Sequence, residues 1–147
     1  MDIDYVVDKK GNKYKIKTSI DFGAIITTSI LPELRPIDSM CIAKDGLIFS
    51  KWRDTEYRNS EVVDANRVVA FVEMLKYNIL SVDRIYGYVH PSNQSSIKWV
   101  LSRGGYMDGK VGIDGEVYDK YVVPLETLVK IAGEIKEKCS ETNLTKS

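Results

Sequence analysis

The stretch that most constrains the fold is residues 82–106, VDRIYGYVHPSNQSSIKWVLSRGGY. It opens as a strand. Ile85, Gly87 and Val89 alternate with Tyr86 and Tyr88, and the run is β-branched and aromatic. Pro91 ends it, because proline has no N–H to give to a ladder. Ser92 or Asn93 can cap the helix that follows by accepting a hydrogen bond from its first free N–H groups. Ile97, Val100 and Leu101 fall at i, i+3 and i+4, which turns one apolar face inward. Gly104 and Gly105 supply the positive φ that closes a helix. The stretch thus reads as a strand, a polar turn, a short helix and a glycine stop.

The flanking sequence supplies more strands and helices. Residues 4–18 read as a hairpin: Tyr5-Val6-Val7, a turn around Gly11, then Tyr14, Ile16 and Thr18 alternating with Lys13, Lys15 and Lys17. Such a lysine row keeps an outer face wet and protects an edge more often than it binds an anion. Residues 19–34 read as a helix, capped by Ser19 or Asp21 and ended by Pro32 and Pro36, with Thr27-Thr28 as its weak point. Residues 39–53 read as a second hairpin around Lys44-Asp45-Gly46. Residues 54–64 continue that strand to Arg58 or form a loop with a short strand at 61–63. Residues 64–78 form the clearest helix, capped by Asp64, with Val68, Phe71, Val72 and Leu75 as its buried stripe. After Tyr106, Asp114-Gly115 turns a terminal hairpin. Pro124 opens a last helix with Leu125, Leu128, Val129, Ala132 and Ile135 at helical spacing. The resulting β-α-β-α order predicts helices packed on a sheet.

Bulk properties narrow the class. At 147 residues one domain is expected, residues 1–139, followed by a polar tail over 140–147. The 21 basic and 21 acidic residues cancel, which speaks against a nucleic-acid partner. Trp52 and the tyrosines therefore read mostly as half-buried strand residues. Two cysteines, Cys41 and Cys139, lie far apart; free thiols in the cytoplasm are the default, with a disulfide left open. There is no leader-like start and no apolar run of the ~20 residues a membrane span needs. One histidine, His90, and two distant cysteines make no zinc site, so no metal is expected. A homodimer contact on the last helix is the minority alternative to docking on its own domain.

The run V-H-P-S-N-Q-S-S-I, followed by G-G-Y, resembles the third quarter of the GNAT N-acetyltransferases. Pro91, Asn93, Ser96 and Ile97 match that family's P-x-N-x-x-S-I element. Gly105-Tyr106 stands for the Gly-Phe that ends its helix, at a spacing one residue longer than usual. The resemblance spans residues 82–124 and is poor before them. It implies an α/β (α+β) fold: a single GNAT-like domain with a mixed, mostly antiparallel central sheet flanked by helices. It also implies an N-acetyltransferase that moves an acetyl group from acetyl-CoA to an amine of a small molecule or protein. Direct attack is expected, since no cysteine lies near the site in sequence. Helices between the first two strands of that fold border the acceptor, a role that would fall to residues 19–34.

The family's requirements can be placed residue by residue. Its pyrophosphate cradle is a Q/R-x-x-G-x-G/A turn running into a helix. Residues 58–64 occupy that place without a glycine, and Glu61 and Asp64 would repel phosphate. Asn66 and Arg67 remain as anion contacts in the first turn, Arg67 being as easily a solvated residue. Asn93 meets the pantetheine arm or only caps its helix. Ser96 contacts the cofactor or is an ordinary first-turn serine. Glu56 and Glu61, with Asp54 behind them, are the candidate general bases by placement alone. The family's tyrosine acid would fall at Leu101, which has no proton to give. These gaps leave a second reading, a GNAT-fold domain that binds or assembles without transferring, as in phage-encoded accessory proteins.

Overall fold

The computed structural model describes residues 2–146, with side chains described for residues 2–139. Five strands come first and pair antiparallel in chain order: β1 (Tyr5–Val7), β2 (Lys13–Asp21), β3 (Ile25–Ile30), β4 (Arg35–Ile42) and β5 (Ile48–Arg53). A 3-10 turn at Thr55–Tyr57 leads to α1 (Glu61–Lys76) and then β6 (Arg84–Val89). α2 (Gln94–Ser102), β7 (Tyr106–Ile113), β8 (Glu116–Pro124) and α3 (Leu125–Lys146) complete the chain. The last three strands form a second antiparallel sheet in the order β6-β8-β7. This is the mixed, mostly antiparallel α/β architecture that the resemblance implies.

The hairpin over 4–18 forms in the expected register, with Tyr5 opposite Lys15 and Val7 opposite Lys13. Ile16 is buried while Lys13, Lys15 and Lys17 stay in water, and the Lys13 ammonium lies over the Tyr5 ring at 4.3 Å.

Residues 19–34 hold no helix. β2 runs on to Asp21, and β3 returns beside it with Thr18 opposite Thr28 and Ile20 opposite Ile26. Phe22 and Gly23 both have positive φ, 57° and 64°, and the Ala24 N–H donates to the Asp21 carbonyl at 3.1 Å. That turn suits the twist of a hairpin. The run IITTSI is β-branched at all positions but Ser29, and alternation buries Ile26, Thr28 and Ile30. Packing that face outweighs the helical spacing of the same isoleucines. The helical wall expected beside an acceptor is therefore replaced by a β-ribbon.

The hairpin over 39–53 is present as β4 and β5, with β4 starting earlier, at Arg35. Pro36 sits where the β3–β4 register shifts between Thr28 and Ser29; at such a point a missing N–H costs little. Residues 54–64 form neither expected strand. α1 starts a turn before Asp64, capped by Ser60, whose hydroxyl accepts the Val63 N–H at 3.3 Å. Val63 and Tyr57 explain the early start: they bury against Val6, Ile16, Ile30 and Ile37. Farther along, Val68, Phe71, Val72, Met74 and Leu75 are buried as their spacing requires. Each such side chain contributes about 1.5–3 kcal/mol on leaving water.

Asn93 caps α2, its Oδ1 accepting the Ser96 N–H at 3.3 Å. The inward face is rolled from the expected one: Trp99 and Val100 pack on the core while Leu101 is 51% exposed. Gly105 sets the roll, because it lies against Val100 and the Val122 carbonyl with no room for a Cβ. Gly104 has the positive φ of a helix stop, 87°. Among the described side chains of α3 the buried positions are Leu128, Ile131 and Ala132, with Val129 turned outward. α3 extends through the segment read as a tail, of which Ser147 lies outside the described residues. Residues of α1, α3 and both sheets form one core, with Trp99 and Val100 of α2 packed against it.

Candidate functional site

The two sheets meet at one place. Leu47, just before β5, makes an isolated parallel bridge to Tyr86 of β6. The Tyr86 N–H donates to the Gly46 carbonyl at 2.9 Å, and the Ser81 N–H to the Lys44 carbonyl at 2.7 Å. The Tyr86 hydroxyl donates to the Asp45 carboxylate at 2.5 Å. That bond, with desolvation behind it, pushes the phenol up to about 12. Gly46, at φ +94°, approaches the Arg84 carbonyl too closely for a Cβ. The 44–47 turn is thus clamped onto the start of β6.

Beyond the clamp the strands part. A Cβ on Gly87 would still stand 3.9 Å from the Ile48 Cβ. Past that point β5 pairs only with β4 and β6 only with β8. Two parallel strands that separate after one bridge make a wedge whose walls carry unpaired N–H and C=O groups. The register shift between Cys41 and Ile42 gives β5 an extra residue, Phe49, at the narrow end, which takes its backbone out of the ladder. The wedge is open to water: Phe49 is 61% exposed, and Trp52, expected half-buried, is 52% exposed.

A charge network ties the wide end together. Asp38 of β4 is fully buried and accepts two hydrogen bonds from Arg67 of α1 and one from Arg53 Nε at 2.9 Å. Arg53 also donates to Asp64 at 2.8 Å and to the Arg58 carbonyl at 3.2 Å. Bidentate, charge-assisted bonds of this kind hold geometry as well as charge. They set where α1 begins relative to the end of β5.

The six candidate residues do not gather at one point. Asn93 and Ser96 lie at the start of α2, just after β6. Glu61 is exposed on the first turn of α1 and makes no hydrogen bond or ion pair among the described residues. Glu56 accepts the Lys9 N–H at 2.8 Å and so holds the β1–β2 turn. Asn66 donates to the Ile3 and Val62 carbonyls at 2.8 and 2.9 Å. Arg67 is taken by Asp38. Asp38 and Arg53 escape the sequence reading; the signal for Asp38 is a lone aspartate between Ile37 and Met40 in a strand.

A groove of about 510 Å³ runs between α1, α2 and α3, bordered by Glu61, Asp64, Trp99, Arg103, Lys130 and Glu134. The Arg103 guanidinium stacks over Trp99 at 4.5 Å. Among the described residues no cluster of His, Cys, Asp or Glu could hold a metal ion, and no helix is long and apolar enough to cross a membrane.

No family model matches the chain, and no curated protein matches it in sequence. Solved structures do. The ribosomal-protein-S18-alanine N-acetyltransferase of Escherichia coli is similar at 15% identity and a TM-score of 0.54, over 69% of this chain and 68% of that one. The ribosomal-protein-S5-alanine acetyltransferase of Vibrio fischeri is similar at 19% identity and a TM-score of 0.56, over 69% of this chain and 61% of that one. A GNAT-family acetyltransferase of Streptococcus pneumoniae is similar at 13% identity and a TM-score of 0.53, over 71% and 68%. At such identities the likeness is one of fold.

Proposed function

We propose that this chain, whose fold is that of the GNAT acetyltransferases, binds acetyl-CoA in the wedge between β5 and β6 and passes the acetyl group to an amine. The parting of these parallel strands after the Leu47–Tyr86 bridge carries the reading. It leaves strand edges with which an extended, amide-bearing arm such as pantetheine can pair. The amine nitrogen attacks the thioester carbonyl, the C–S bond breaks, and an amide and a free thiol result. The Phe49 N–H, displaced from the ladder at the narrow end, is the candidate donor to the developing oxyanion. Neither candidate carboxylate takes the proton. Glu56 holds the β1–β2 turn, and Glu61, without a side-chain partner among the described residues, stands on the first turn of α1 at the wide end, not beside Phe49, so the amine proton leaves to solvent. Asn93 and Ser96 are the cofactor contacts on the β6 side. The amine belongs to a small molecule or a protein. Free Cys41 and Cys139 are consistent with a reducing, cytoplasmic setting.

One observation favours a second reading, a domain that binds or assembles without transferring. The lead-in to α1 has no glycine, Ser60 occupies its own cap, and Glu61 and Asp64 put negative charge at the helix start.

Calorimetry with acetyl-CoA on the wild type, Asn93→Ala and Asn93→Ser separates these readings. Micromolar binding by the wild type is expected. Asn93→Ala loses the cap, at about 1 kcal/mol of stability, whereas serine keeps it. Weaker cofactor binding in both variants would assign the amide to the cofactor; weakening in alanine alone would make Asn93 a cap. No heat at millimolar acetyl-CoA would overturn the transferase reading.

A further inference from the structure

β5 presents two cations to the helix side of the sheet. Antiparallel partners share a face, so Lys51, opposite buried Met40, and Arg53, opposite buried Asp38, both turn toward α1. Their situations differ. Arg53 is matched by Asp38 and Asp64. Lys51 has no ion pair or hydrogen bond among the described residues. The carboxylates nearby are already engaged, Asp38 by both arginines and Asp64 by Arg53. Desolvation, followed by repulsion from Arg67 and Arg53, holds the Lys51 ammonium below the ordinary lysine pKa.

A crowded cation with no anion beside it works against folding. This one stands on the wall of the wedge, past the point where β5 leaves β6, and water still reaches it. Lys51, Arg53 and Arg67 set three positive charges against the two of Asp38 and Asp64, so the spot carries a surplus of one. The start of α1 offers an anion far less, since Glu61 and Asp64 sit in its first turn. An ammonium on a flexible stem binds phosphate as a point charge and needs no glycine turn around it.

We propose that Lys51, backed by Arg53 and Arg67, is an anion site for a phosphate-bearing group, specifically a diphosphate, entering the wedge from its wide end. The choice of diphosphate rests on the acetyl-CoA reading; the side-chain site would stand in for the glycine cradle that residues 58–64 lack. The unpaired charge is then a cost to stability retained for binding.

Inorganic pyrophosphate and acetyl-CoA, each titrated into wild type, Lys51→Met and Lys51→Arg, test this, together with thermal melts of the ligand-free proteins. Lys51→Met is expected to bind pyrophosphate at least about tenfold more weakly, as loss of one charge-assisted bond implies. Its ligand-free Tm is expected to rise, because the unpaired cation is gone. Lys51→Arg should keep most of the affinity. Equal pyrophosphate binding by wild type and Lys51→Met would overturn the site, and so would a lowered Tm, since Lys51 would then be serving the fold. Acetyl-CoA binding that is equal in wild type and Lys51→Met also overturns it, while leaving the acetyl-CoA reading in place. Pyrophosphate binding lost in Lys51→Met, with no acetyl-CoA binding by the wild type, upholds the site and removes that reading.

Discussion

Replacing Asp38 with alanine is expected to remove about 3–5 kcal/mol of stability, the usual result of deleting one partner from a buried ion pair. Asp38 has no exposed surface, and it is the acceptor for Arg53 and Arg67, whose side chains are only 13% and 15% exposed. Without it Arg67 stays sheltered and loses its carboxylate, and Arg53 keeps only Asp64. Domains of this kind hold about 5–15 kcal/mol in all, so the loss is a large share. Urea denaturation should show a lower midpoint with an unchanged slope. The double variant Asp38→Ala, Arg67→Met should recover part of the loss, because it removes the charge left without its carboxylate. A loss under about 1 kcal/mol would mean the network behaves like a surface pair.

Gly46→Ala is the second large effect, about 2–4 kcal/mol, and it bears on the site as well as on stability. Two penalties combine there. The backbone is at φ +94°, which an L side chain resists, and the new Cβ would run into the Arg84 carbonyl, which as backbone cannot swing aside. Gly115→Ala is the control: its φ is +82°, but nothing lies within 4 Å of the position where a Cβ would stand. It should cost only about 1 kcal/mol. The excess at Gly46 measures the close approach of the 44–47 turn to β6. Because that turn holds the Leu47–Tyr86 bridge, Gly46→Ala should also weaken acetyl-CoA binding, while Gly115→Ala should not. Equal stability losses in the two variants would remove the clamp from the account.

Some of this is visible in local pattern. Asp114-Gly115 signals a hairpin, and both residues have positive φ, 49° and 82°. Lys44-Asp45-Gly46 signals a turn, and Gly46 has the backbone that only glycine accepts readily. The stripe Val68, Phe71, Val72, Leu75 signals a helix on a sheet. In each case the deciding interactions lie within a few residues of one another. Asn93 belongs here too, as the cap of α2.

Elsewhere local pattern was ambiguous. Residues 25–30 suit helical spacing and strand alternation alike. The buried face shared by Ile26, Thr28 and Ile30 beneath α1 decides for the strand. Leu101 fits an inward stripe until Gly105 packs on Val100 and rolls the helix. The site candidates divide in the same way. The family resemblance nominated Glu56, Asn66 and Arg67 by placement, but their partners come from remote segments: Lys9, Ile3 and Asp38. By itself the sequence determined the turns at 44–46 and 114–115, the Asn93 cap and the buried stripe of α1, because periodicity and backbone conformation are set by neighbours. Only the tertiary structure decided that 19–34 is a ribbon, that β5 and β6 part into a wedge, and that Lys51 is left without a counter-charge among the described residues. Pairing and desolvation depend on groups brought together from distant parts of the chain, and no local pattern encodes them.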